Sequence, residues 1–373
     1  MRILITGASG FIGKNLVARL SERASVEIIQ FTRESTRDQL AQYVEAADCI
    51  FHLAGINRPL DEAEFISGNV ELTSELCQLI LKSGRHPKVV YTSSIQAEKD
   101  NAYGSSKLAA ENALAELNRN NAGSVHIFRL PNVFGKWCKP NYNSAVATFC
   151  HNISRGLDIQ INDPNANISL VYIDDVIDKF LEIIDGVENG GLYVNVPTQY
   201  ESTVGKLAEQ IYLFKNSRQT LVTERVGTGL VRALYATYVS YLRPEDFSYG
   251  VPQHGDPRGV FVEMLKTPDS GQFSYFTAHP GITRGGHYHH SKTEKFLVIR
   301  GTAKFGFRHI QTNQYYVLHT SGDKPEIVET VPGWTHDITN VGDEEMIVML
   351  WANEIFDRDH PDTYARPVNH EKT

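Results

Sequence analysis

The first thirteen residues restrict the fold more than any other part of the chain. The β-branched run Arg2–Thr6 is followed at once by three spaced glycines, Gly7, Gly10 and Gly13, and then by a helical segment. Glycines at a strand-to-helix turn allow the backbone to approach a pyrophosphate closely, and the N–H groups of the helix N-terminus can bind its charge. The opening segment therefore predicts the phosphate site of a dinucleotide cofactor.

Short β-branched runs alternate with longer helical segments as far as about residue 215. Examples of the strand-like runs are Val26–Thr32, Cys49–Leu53, Val89–Thr92 and Val125–Leu130. This alternation is typical of βαβ units, in which helices cover a parallel sheet. We therefore predict an α/β Rossmann-type, doubly wound parallel sheet for residues 1–243.

The pattern changes after residue 243. Strand-like runs such as Phe296–Ile299, Ala303–Phe307 and Met346–Trp351 follow one another with glycine turns between them. Few helical periods remain, which is typical of an all-β barrel or sandwich. A chain of 373 residues also exceeds the usual size of a single core. The sequence thus predicts two domains, 1–243 and 244–373.

Composition argues against several classes of function. The net charge of −8 disfavours a nucleic-acid partner or an anionic membrane, since both reward a basic surface. No apolar run approaches the ~20 residues that span a bilayer. The four cysteines are scattered without a CxxC pair, so we expect reduced thiols. Because a strand begins at Arg2, we expect no signal peptide and a cytoplasmic location.

A tyrosine and a lysine with helical spacing are the main candidates for chemistry. Tyr103 and Lys107 are four residues apart, on one face of a predicted helix, and Ser93 and Ser94 end the strand before it. When a hydride reaches a carbonyl carbon, the oxygen requires a proton. A phenol can donate that proton, and a neighbouring ammonium can lower the phenol's pKa. These two side chains are therefore chemically suited to a carbonyl reduction.

The GxxGxxG spacing, together with this serine, tyrosine and lysine, resembles the extended short-chain dehydrogenase/reductase family. The resemblance implies that Tyr103 donates the proton, that Lys107 lowers its pKa, and that Ser94 hydrogen-bonds the developing alkoxide. Ser93 is a close competitor of Ser94. The segments 129–135 and 171–176 resemble the family's two substrate-side segments. The substrate-binding part is shorter than in most extended members, so no individual sugar contact is carried over.

The end of the second predicted strand bears on the choice of cofactor. Twenty residues after Gly13 the chain reads Arg33-Glu34. An acidic residue here would bind the ribose hydroxyls of NAD, whereas an arginine accommodates the phosphate of NADP. Arg33 favours NADPH, with Glu34 as the rival. Phe51–Gly55 also resembles the family's strand motif that lines the cofactor, and Asn69 resembles the asparagine that steadies its active site. The expected cofactor-binding residues are Gly7, Gly10, Phe11, Ile12, Gly13, Arg33, Leu53, Ala54, Gly55, Asn69 and Lys107.

A cluster of histidines in the second region is the candidate metal site. The stretches 281–301 and 333–340 resemble the two motifs of the cupin family, which implies a cupin barrel. Alternate residues of a strand point to one side, so His287 and His289 can share a metal while His290 points away. Three imidazoles and one carboxylate suit Zn²⁺, Fe²⁺, Mn²⁺ or Ni²⁺, and we expect Zn²⁺. The expected ligands are His287, His289, Glu294 and His336.

A reductase followed by a cupin resembles the bifunctional enzymes that make UDP-N-acetyl-6-deoxy-L-talosamine, on the route to N-acetyl-L-fucosamine in capsule and O-antigen synthesis. The segments 134–144 and 353–357 resemble them as well. The resemblance implies a UDP-2-acetamido-2,6-dideoxy-4-hexulose as substrate. The cupin would epimerise its C3, and the reductase would then reduce its C4 ketone with NADPH. Candidates for the C3 base are His290, Lys292 and Asp337, and the metal has either a catalytic or a structural role.

Two other functions stay open. A fused epimerase–reductase acting on dTDP-4-keto-6-deoxyglucose would keep both folds and change the sugar. A protein that senses NADP(H) without turnover, with a ligand-binding cupin, would belong to another class. Such sensors usually lose the tyrosine or the lysine, and both are present here. We expect a homodimer, because closed twofold symmetry is the commonest assembly of soluble proteins.

Overall fold

The computed structural model describes residues 1–59, 61–120, 124–187, 191–256, 259–262, 265, 271–354 and 359–369. They form two compact units. The first unit contains Met1–Ser144 and Asn167–Ser202, and the second contains Ala145–Ala166 and Thr203–Thr373. Among the helices of these residues, none is long and apolar enough to cross a membrane.

The helices of the described residues follow in chain order. They are α1 (Phe11–Leu20), α2 (Arg37–Ala46), α3 (Ala63–Phe65), α4 (Leu72–Ser83), α5 (Ala102–Arg119), α6 (Ala145–Ser154), α7 (Ile173–Ile184), α8 (Val204–Thr220) and α9 (Gly229–Ser240). A π-helical segment, Ile66–Glu71, joins α3 to α4, and short 3₁₀ turns cover Ile95–Glu98 and Pro244–Asp246.

The first eight strands are β1 (Arg2–Thr6), β2 (Glu27–Phe31), β3 (Cys49–His52), β4 (Lys88–Ser94), β5 (Ser124–Leu130), β6 (Asn132–Phe134), β7 (Asn167–Tyr172) and β8 (Tyr200–Thr203). The strands that follow are β9 (Ser248–Gly250), β10 (Gln253–Asp256), β11 (Gly259–Val262), β12 (Gln272–Ala278), β13 (Thr283–Tyr288), β14 (Glu294–Arg300), β15 (Thr302–His309), β16 (Tyr315–Ser321), β17 (Glu326–Glu329), β18 (Trp334–Asn340), β19 (Met346–Ala352) and β20 (Tyr364–Ala365).

The first unit is built on a parallel sheet, as the sequence predicted, and the strand order of this sheet is β2-β1-β3-β4-β5. Its interior is apolar, and one face packs on α2, α4 and α5 through residues such as Leu40, Leu76 and Leu114. The chain leaves β1 for β2 on one side and returns to β3 on the other. Ligands of open α/β sheets bind beside such a switch point, at the carboxyl ends of the strands. The glycine turn after β1 lies there.

The β region of the second unit is antiparallel, which confirms the predicted all-β character. Two five-stranded sheets have the orders β12-β19-β14-β17-β9 and β16-β15-β18-β13-β20. Aromatic side chains pack between them. Phe296 of one sheet contacts Phe305 of the other, with ring centroids 5.7 Å apart, and Phe247 contacts Trp334 at 5.1 Å.

Helices α6, α8 and α9 belong to the second unit, although the sequence placed them in a first domain ending at residue 243. Side-chain bonds connect α9 to the β region. The hydroxyl of Tyr235 donates to Glu329 Oε1 at 3.1 Å, and Arg232 pairs with Glu354 at 3.0 Å. Helical periodicity shows that these segments form helices but not which core they pack on. For this reason the residue at which the sequence pattern changes, 243, differs from the boundaries of the two units.

Candidate active site and candidate metal centre

The glycine turn has no room for side chains. Gly7 has a φ of +71°, and a Cβ there would lie 2.7 Å from the backbone nitrogen of Ala54. A Cβ on Gly13 would lie 2.3 Å from the carbonyl oxygen of Gly7. The first N–H groups of α1, at Phe11, Ile12 and Gly13, have no intrahelical acceptors. The turn therefore fits a pyrophosphate, as the sequence predicted for a dinucleotide cofactor.

Strand β3 is connected to this turn by a buried histidine. The ring of His52 lies between Thr6 Oγ1 at 2.7 Å and Thr73 Oγ1 at 2.8 Å. Burial, together with the charge of Lys107, lowers the pKa of His52 to about 3. The neutral imidazole thus links β1, β3 and α4 and places Leu53, Ala54 and Gly55 beside the glycines. Sequence analysis did not single out His52, since a histidine in a strand gives no sign of its two threonine partners.

Arg33 and Glu34 are both exposed in the turn that follows β2. The end of β2 lies against the glycine turn, because Gly7 N donates to Phe31 O at 3.0 Å. No ion pair or hydrogen bond involves the side chain of Arg33 within the described part of the chain. The turn therefore presents a cation and an anion where the ribose end of a cofactor would lie.

Ser94 and Tyr103 meet in the structure. Asn101 caps α5 by accepting a hydrogen bond from Gly104 N at 2.8 Å, and this begins the helix that carries Tyr103. Burial raises the pKa of Tyr103, and a hydrogen bond with Ser94 lowers it. The phenol is therefore protonated at neutral pH.

Lys107 lies one helical turn after Tyr103 and is almost fully buried. Its ammonium donates to Thr92 O at 2.9 Å and to Tyr91 Oη at 3.2 Å. Burial lowers the pKa of Lys107 to about 8, against the opposing charge of Glu111. The expected effect of Lys107 on the pKa of Tyr103 stays a prediction, since the contacts of the ammonium are with β4.

Asn69 fixes the loop after β3. Its amide oxygen accepts from Ile56 N at 2.8 Å, and its amide nitrogen donates to Ile56 O at 2.9 Å and to Ser106 Oγ at 3.0 Å. A Cβ on Gly55 would lie 2.9 Å from the Asn69 oxygen and 3.2 Å from Lys107 Nζ. The structure thus brings Gly55, Asn69 and Lys107 together.

A buried carboxylate behind the candidate triad was missed by the sequence analysis. Glu111 accepts hydrogen bonds from Ser93, from Tyr193 at 3.2 Å, and from Arg129 at 2.7 Å and 3.1 Å. Ser93, the competitor of Ser94, is therefore engaged away from Tyr103. The available signal was spacing, because Glu111 is four residues after Lys107 on the same helix.

The two predicted substrate-side segments lie against each other. Strands β6 and β7 pair in parallel, and Lys136 forms an ion pair with Asp174 at 2.7 Å. A Cβ on Gly135 would lie 2.2 Å from Ile173 Cγ2, so this contact requires glycine. Trp137 follows with a φ of +70°, an unusual conformation for a bulky residue.

The four expected metal ligands converge in the second unit. The ligand atoms of His287, His289, Glu294 and His336 all lie within 4.8 Å of one another. A β-bulge between Gly285 and His287 sets His287 opposite His336 on β18. Gly285 and Gly286 have φ values of +96° and +75°, so the bulge depends on glycine.

The protonation states of this cluster suit a divalent cation. Burial lowers the pKa of His287 to about 3, helped by the neighbouring imidazoles, and burial also lowers that of His336. Burial alone would raise the pKa of Glu294, but His289, His336 and Lys292 hold it well below its usual range. Neither ring nitrogen of the buried His336 has a hydrogen-bond partner among the described residues. Neutral imidazoles and ionised carboxylates are the forms in which these side chains bind Zn²⁺.

The three candidate bases differ in position. Lys292 Nζ lies 3.0 Å from Glu294 Oε1, next to the ligands. The ring of His290 instead contacts Tyr364 and Tyr288, with centroids 4.9 Å and 5.5 Å away. Asp337 follows His336 on β18 and so points to the opposite face of the strand. Burial raises its pKa.

The parallel sheet and the glycine turn define a dinucleotide-binding class of protein. Comparison with known proteins gives the same class. The model of the NAD dependent epimerase/dehydratase family matches residues 3–196, and the chain belongs to this family. The model of the polysaccharide biosynthesis C-terminal domain matches residues 254–364.

Two particular relatives cover almost the whole chain. It is 61% identical over 368 residues to UDP-2-acetamido-2,6-beta-L-arabino-hexul-4-ose reductase of Pseudomonas aeruginosa, covering 99% of both chains. The crystal structure of the capsular polysaccharide assembling protein CapF from Staphylococcus aureus is 42% identical, with a TM-score of 0.68, covering 98% of this chain and 100% of that one. The Bordetella bronchiseptica enzyme WbmF, in complex with NAD⁺, shares the fold at 20% identity and a TM-score of 0.51, over 58% of this chain and 78% of that one.

Proposed function

We propose that this chain is a nucleotide-sugar reductase of capsule or O-antigen synthesis. It would reduce the C4 ketone of a UDP-linked 4-keto-6-deoxy-N-acetylhexosamine with NADPH, giving UDP-N-acetyl-6-deoxy-L-talosamine. The proximity of Ser94 and Tyr103, beside a glycine turn fitted to a dinucleotide, carries the proposal. The full-length identity of 61% to a reductase named for a UDP-linked 4-hexulose supports the substrate class.

Different residues of the first unit would bind the cofactor and transfer the proton in this reaction. Gly7, Gly10 and Gly13 would hold the pyrophosphate of the cofactor, and Arg33 its 2′-phosphate. When bound, NADPH supplies the hydride for C4. Tyr103, protonated because burial raises its pKa, donates its proton to the ketone oxygen as charge develops there. Ser94 hydrogen-bonds the same oxygen and stabilises the developing alkoxide.

NADPH oxidation with the UDP-2-acetamido-2,6-dideoxy-4-hexulose tests the reductase. We expect turnover by the wild type and a rate about 10²–10⁴-fold lower for Tyr103→Phe. Tyr212→Phe, on the exposed face of α8, is the matched control and should keep the wild-type rate. Preference for dTDP-4-keto-6-deoxyglucose would favour the dTDP-sugar enzyme. Bound NADPH with no oxidation by any keto-sugar would favour the sensor.

We also propose that the second unit has a cupin-type fold and epimerises C3 of the same sugar before reduction. The C4 ketone acidifies the C3 proton, and this acidity is lost once C4 is reduced. His287, His289, Glu294 and His336 would hold a divalent metal, with Zn²⁺ the best match to the donor set. When bound, such a metal polarises a carbonyl oxygen or closes a structural site.

Lys292 is the candidate C3 base that touches the ligand cluster, through Glu294. Deuterium incorporation at C3 in D₂O without NADPH measures this step by itself. Loss of exchange in Lys292→Met at saturating Zn²⁺, with retained exchange in Asp337→Asn, would select Lys292. Exchange unchanged in both variants would exclude these two residues as the base.

Two further expectations complete the proposal. The boundary at residue 243 would separate an NADP-binding sequence region, 1–243, from a cupin region, 244–373. A homodimer is the expected assembly. A monomeric mass in solution would contradict it.

A further inference from the structure

The segment 359–369 lies along the candidate metal centre. Strand β20 pairs with β13, with Ala365 opposite His287 and Tyr364 opposite Tyr288. Arg366 N donates to Gly286 O at 2.7 Å, which continues the pairing towards the glycine bulge. The segment thus runs beside the strand that carries the ligand His287 and ends just before the ligand His289.

Asp362, just before β20, binds the loop that connects β13 to β14. One carboxylate oxygen accepts from His290 N at 2.8 Å. The other accepts from Ser291 N and Lys292 N, both at 2.7 Å, and from Ser291 Oγ at 3.1 Å. Three successive backbone N–H groups therefore converge on one carboxylate, which fixes the path of the loop between the ligands His289 and Glu294.

The backbone of Asp362 orients the first of these ligands. Its carbonyl oxygen contacts His289 Nδ1, which must therefore carry the proton. The other ring nitrogen, His289 Nε2, lies 3.2 Å from Glu294 Oε2, inside the cluster. Such a hydrogen bond to the outer nitrogen of a histidine fixes its tautomer and its ring orientation.

The loop also orients the second ligand. Lys292, whose backbone N–H is held by Asp362, places Nζ 3.0 Å from Glu294 Oε1. Glu294 Oε2 then faces the imidazoles of His289 and His336, at 3.2 Å and 3.6 Å. Lys292 thus pairs with Oε1, the carboxylate oxygen of Glu294 that is turned away from the histidines.

We infer that Asp362 is a positioning residue for the metal centre, setting His289 through its carbonyl and Glu294 through the loop and Lys292. The inference rests on the metal centre put forward under Proposed function. Substituting residues that orient metal ligands commonly weakens metal affinity by about 10–100-fold. Asp362 would thus make metal affinity depend on a segment that is distant from the ligands in sequence.

Zn²⁺ affinity of the full-length protein, measured by competition with a chromophoric chelator, tests the inference. Asp362→Asn keeps the side-chain shape but turns an amide NH₂ towards the loop N–H groups. We expect its Kd for Zn²⁺ to rise by about 10–100-fold. Asp359→Asn, an exposed carboxylate of the same segment, removes the same charge and should keep the wild-type Kd.

The visible spectrum of the Co²⁺-loaded protein gives a readout that loss of overall stability would not move. A reoriented His289 or Glu294 changes the ligand field, so the Co²⁺ bands of Asp362→Asn should shift while those of Asp359→Asn should not. NADPH affinity, which depends on the first unit, should stay at the wild-type value in both. A wild-type Zn²⁺ Kd and an unshifted Co²⁺ spectrum in Asp362→Asn would overturn the inference.

Lys292→Met keeps the test decisive if Asp362→Asn does not fold. It leaves the backbone contacts of Asp362 in place and removes the support of Glu294, so Zn²⁺ binding should again weaken. Unchanged Zn²⁺ binding in this variant would overturn the route through Lys292. Failure of the wild type to bind Zn²⁺ or Co²⁺ would overturn the metal centre itself, and the two failures are therefore distinguishable.

Discussion

The surroundings of a residue decide its role here more than its type does. His52 and His287 are both held neutral, each with a pKa lowered to about 3 by burial. His52 is satisfied by two threonine hydroxyls, whereas His287 faces two imidazoles and a carboxylate. The first is an anchor of the sheet and the second a candidate ligand. The roles of these two histidines differ only because different side chains from elsewhere in the chain surround them.

The pKa of His52 predicts a pH dependence of stability. The folded value is about 3 and the unfolded value about 6.5, so the unfolded state binds more protons between them. The free energy of unfolding should therefore fall as pH decreases through this window. His52 alone contributes a slope of about 1.4 kcal/mol per pH unit.

Denaturant unfolding of the wild type and of His52→Gln between pH 6.5 and pH 4 measures this contribution. The variant lacks the titrating group, so its stability should decline less steeply by about the stated slope. His86→Gln, in the connection before β4, is the control and should follow the wild type. Parallel curves for the wild type and His52→Gln would show that His52 is not held neutral.

At the scale of elements, Glu111 joins α5 to the ends of β4 and β5. Its carboxylate is fully buried and binds Ser93 on β4 and Arg129 on β5. Ser94, the next residue on β4, is thereby held where it meets Tyr103. The negative charge also raises the pKa of Lys107 against the effect of burial.

Glu111→Gln should destabilise the first unit and shift the pH profile of the reductase. Removing the carboxylate leaves buried donors without their acceptor, which costs about 1–3 kcal/mol. The pKa of Lys107 should fall below its folded value of about 8, so the alkaline limb of kcat/KM should move to lower pH. Thermal unfolding and the pH–rate profile measure the two effects.

Glu98→Gln is the matched control for this prediction. Glu98 contacts the same Arg129, but its side chain is 71% exposed. A change within about 0.5 kcal/mol is therefore expected, with an unshifted pH profile. An alkaline limb that stays in place in Glu111→Gln would contradict the link to Lys107.

Elements with a strong local pattern were predictable from the sequence, and those that depend on distant partners were not. The strand–glycine–helix start and the run Tyr103–Lys107 carry their signal within a few residues. The bulge at Gly285, which sets His287 opposite His336, depends on pairing with β18 and has no local signature. The contact of Asp362 with the ligand loop joins residues about seventy positions apart. No sequence periodicity connects residues that are so far apart.

At the scale of the whole molecule, the core of the second unit contains helices as well as β-strands. Lys295 on β14 and Glu329 on β17 form a fully buried ion pair. Burial alone would lower the pKa of Lys295, but the charge of Glu329 holds it well above its usual range. Tyr235 of α9 and Arg218 of α8 complete the network, at 3.1 Å and 3.5 Å from Glu329. This core therefore includes α8 and α9, two helices that precede residue 243, where the sequence pattern changes.

This network predicts how the second unit behaves when it is cut from the chain. A fragment of residues 244–373 would lose Tyr235 and Arg218 and leave Glu329 with part of its buried bonds unmade. Breaking a buried charge network costs about 3–5 kcal/mol. A fragment of residues 203–373 keeps both partners. Its thermal unfolding should therefore occur at a clearly higher temperature than that of 244–373.

The full-length variant Tyr235→Phe separates the network from other effects of the cut. It removes one hydrogen bond to Glu329 and should cost about 1 kcal/mol, much less than the loss of α8 and α9 together. Equal melting temperatures of the two fragments would show that the helices add nothing to the β region. In that case the boundary at residue 243, read from the sequence pattern, would be the physical one.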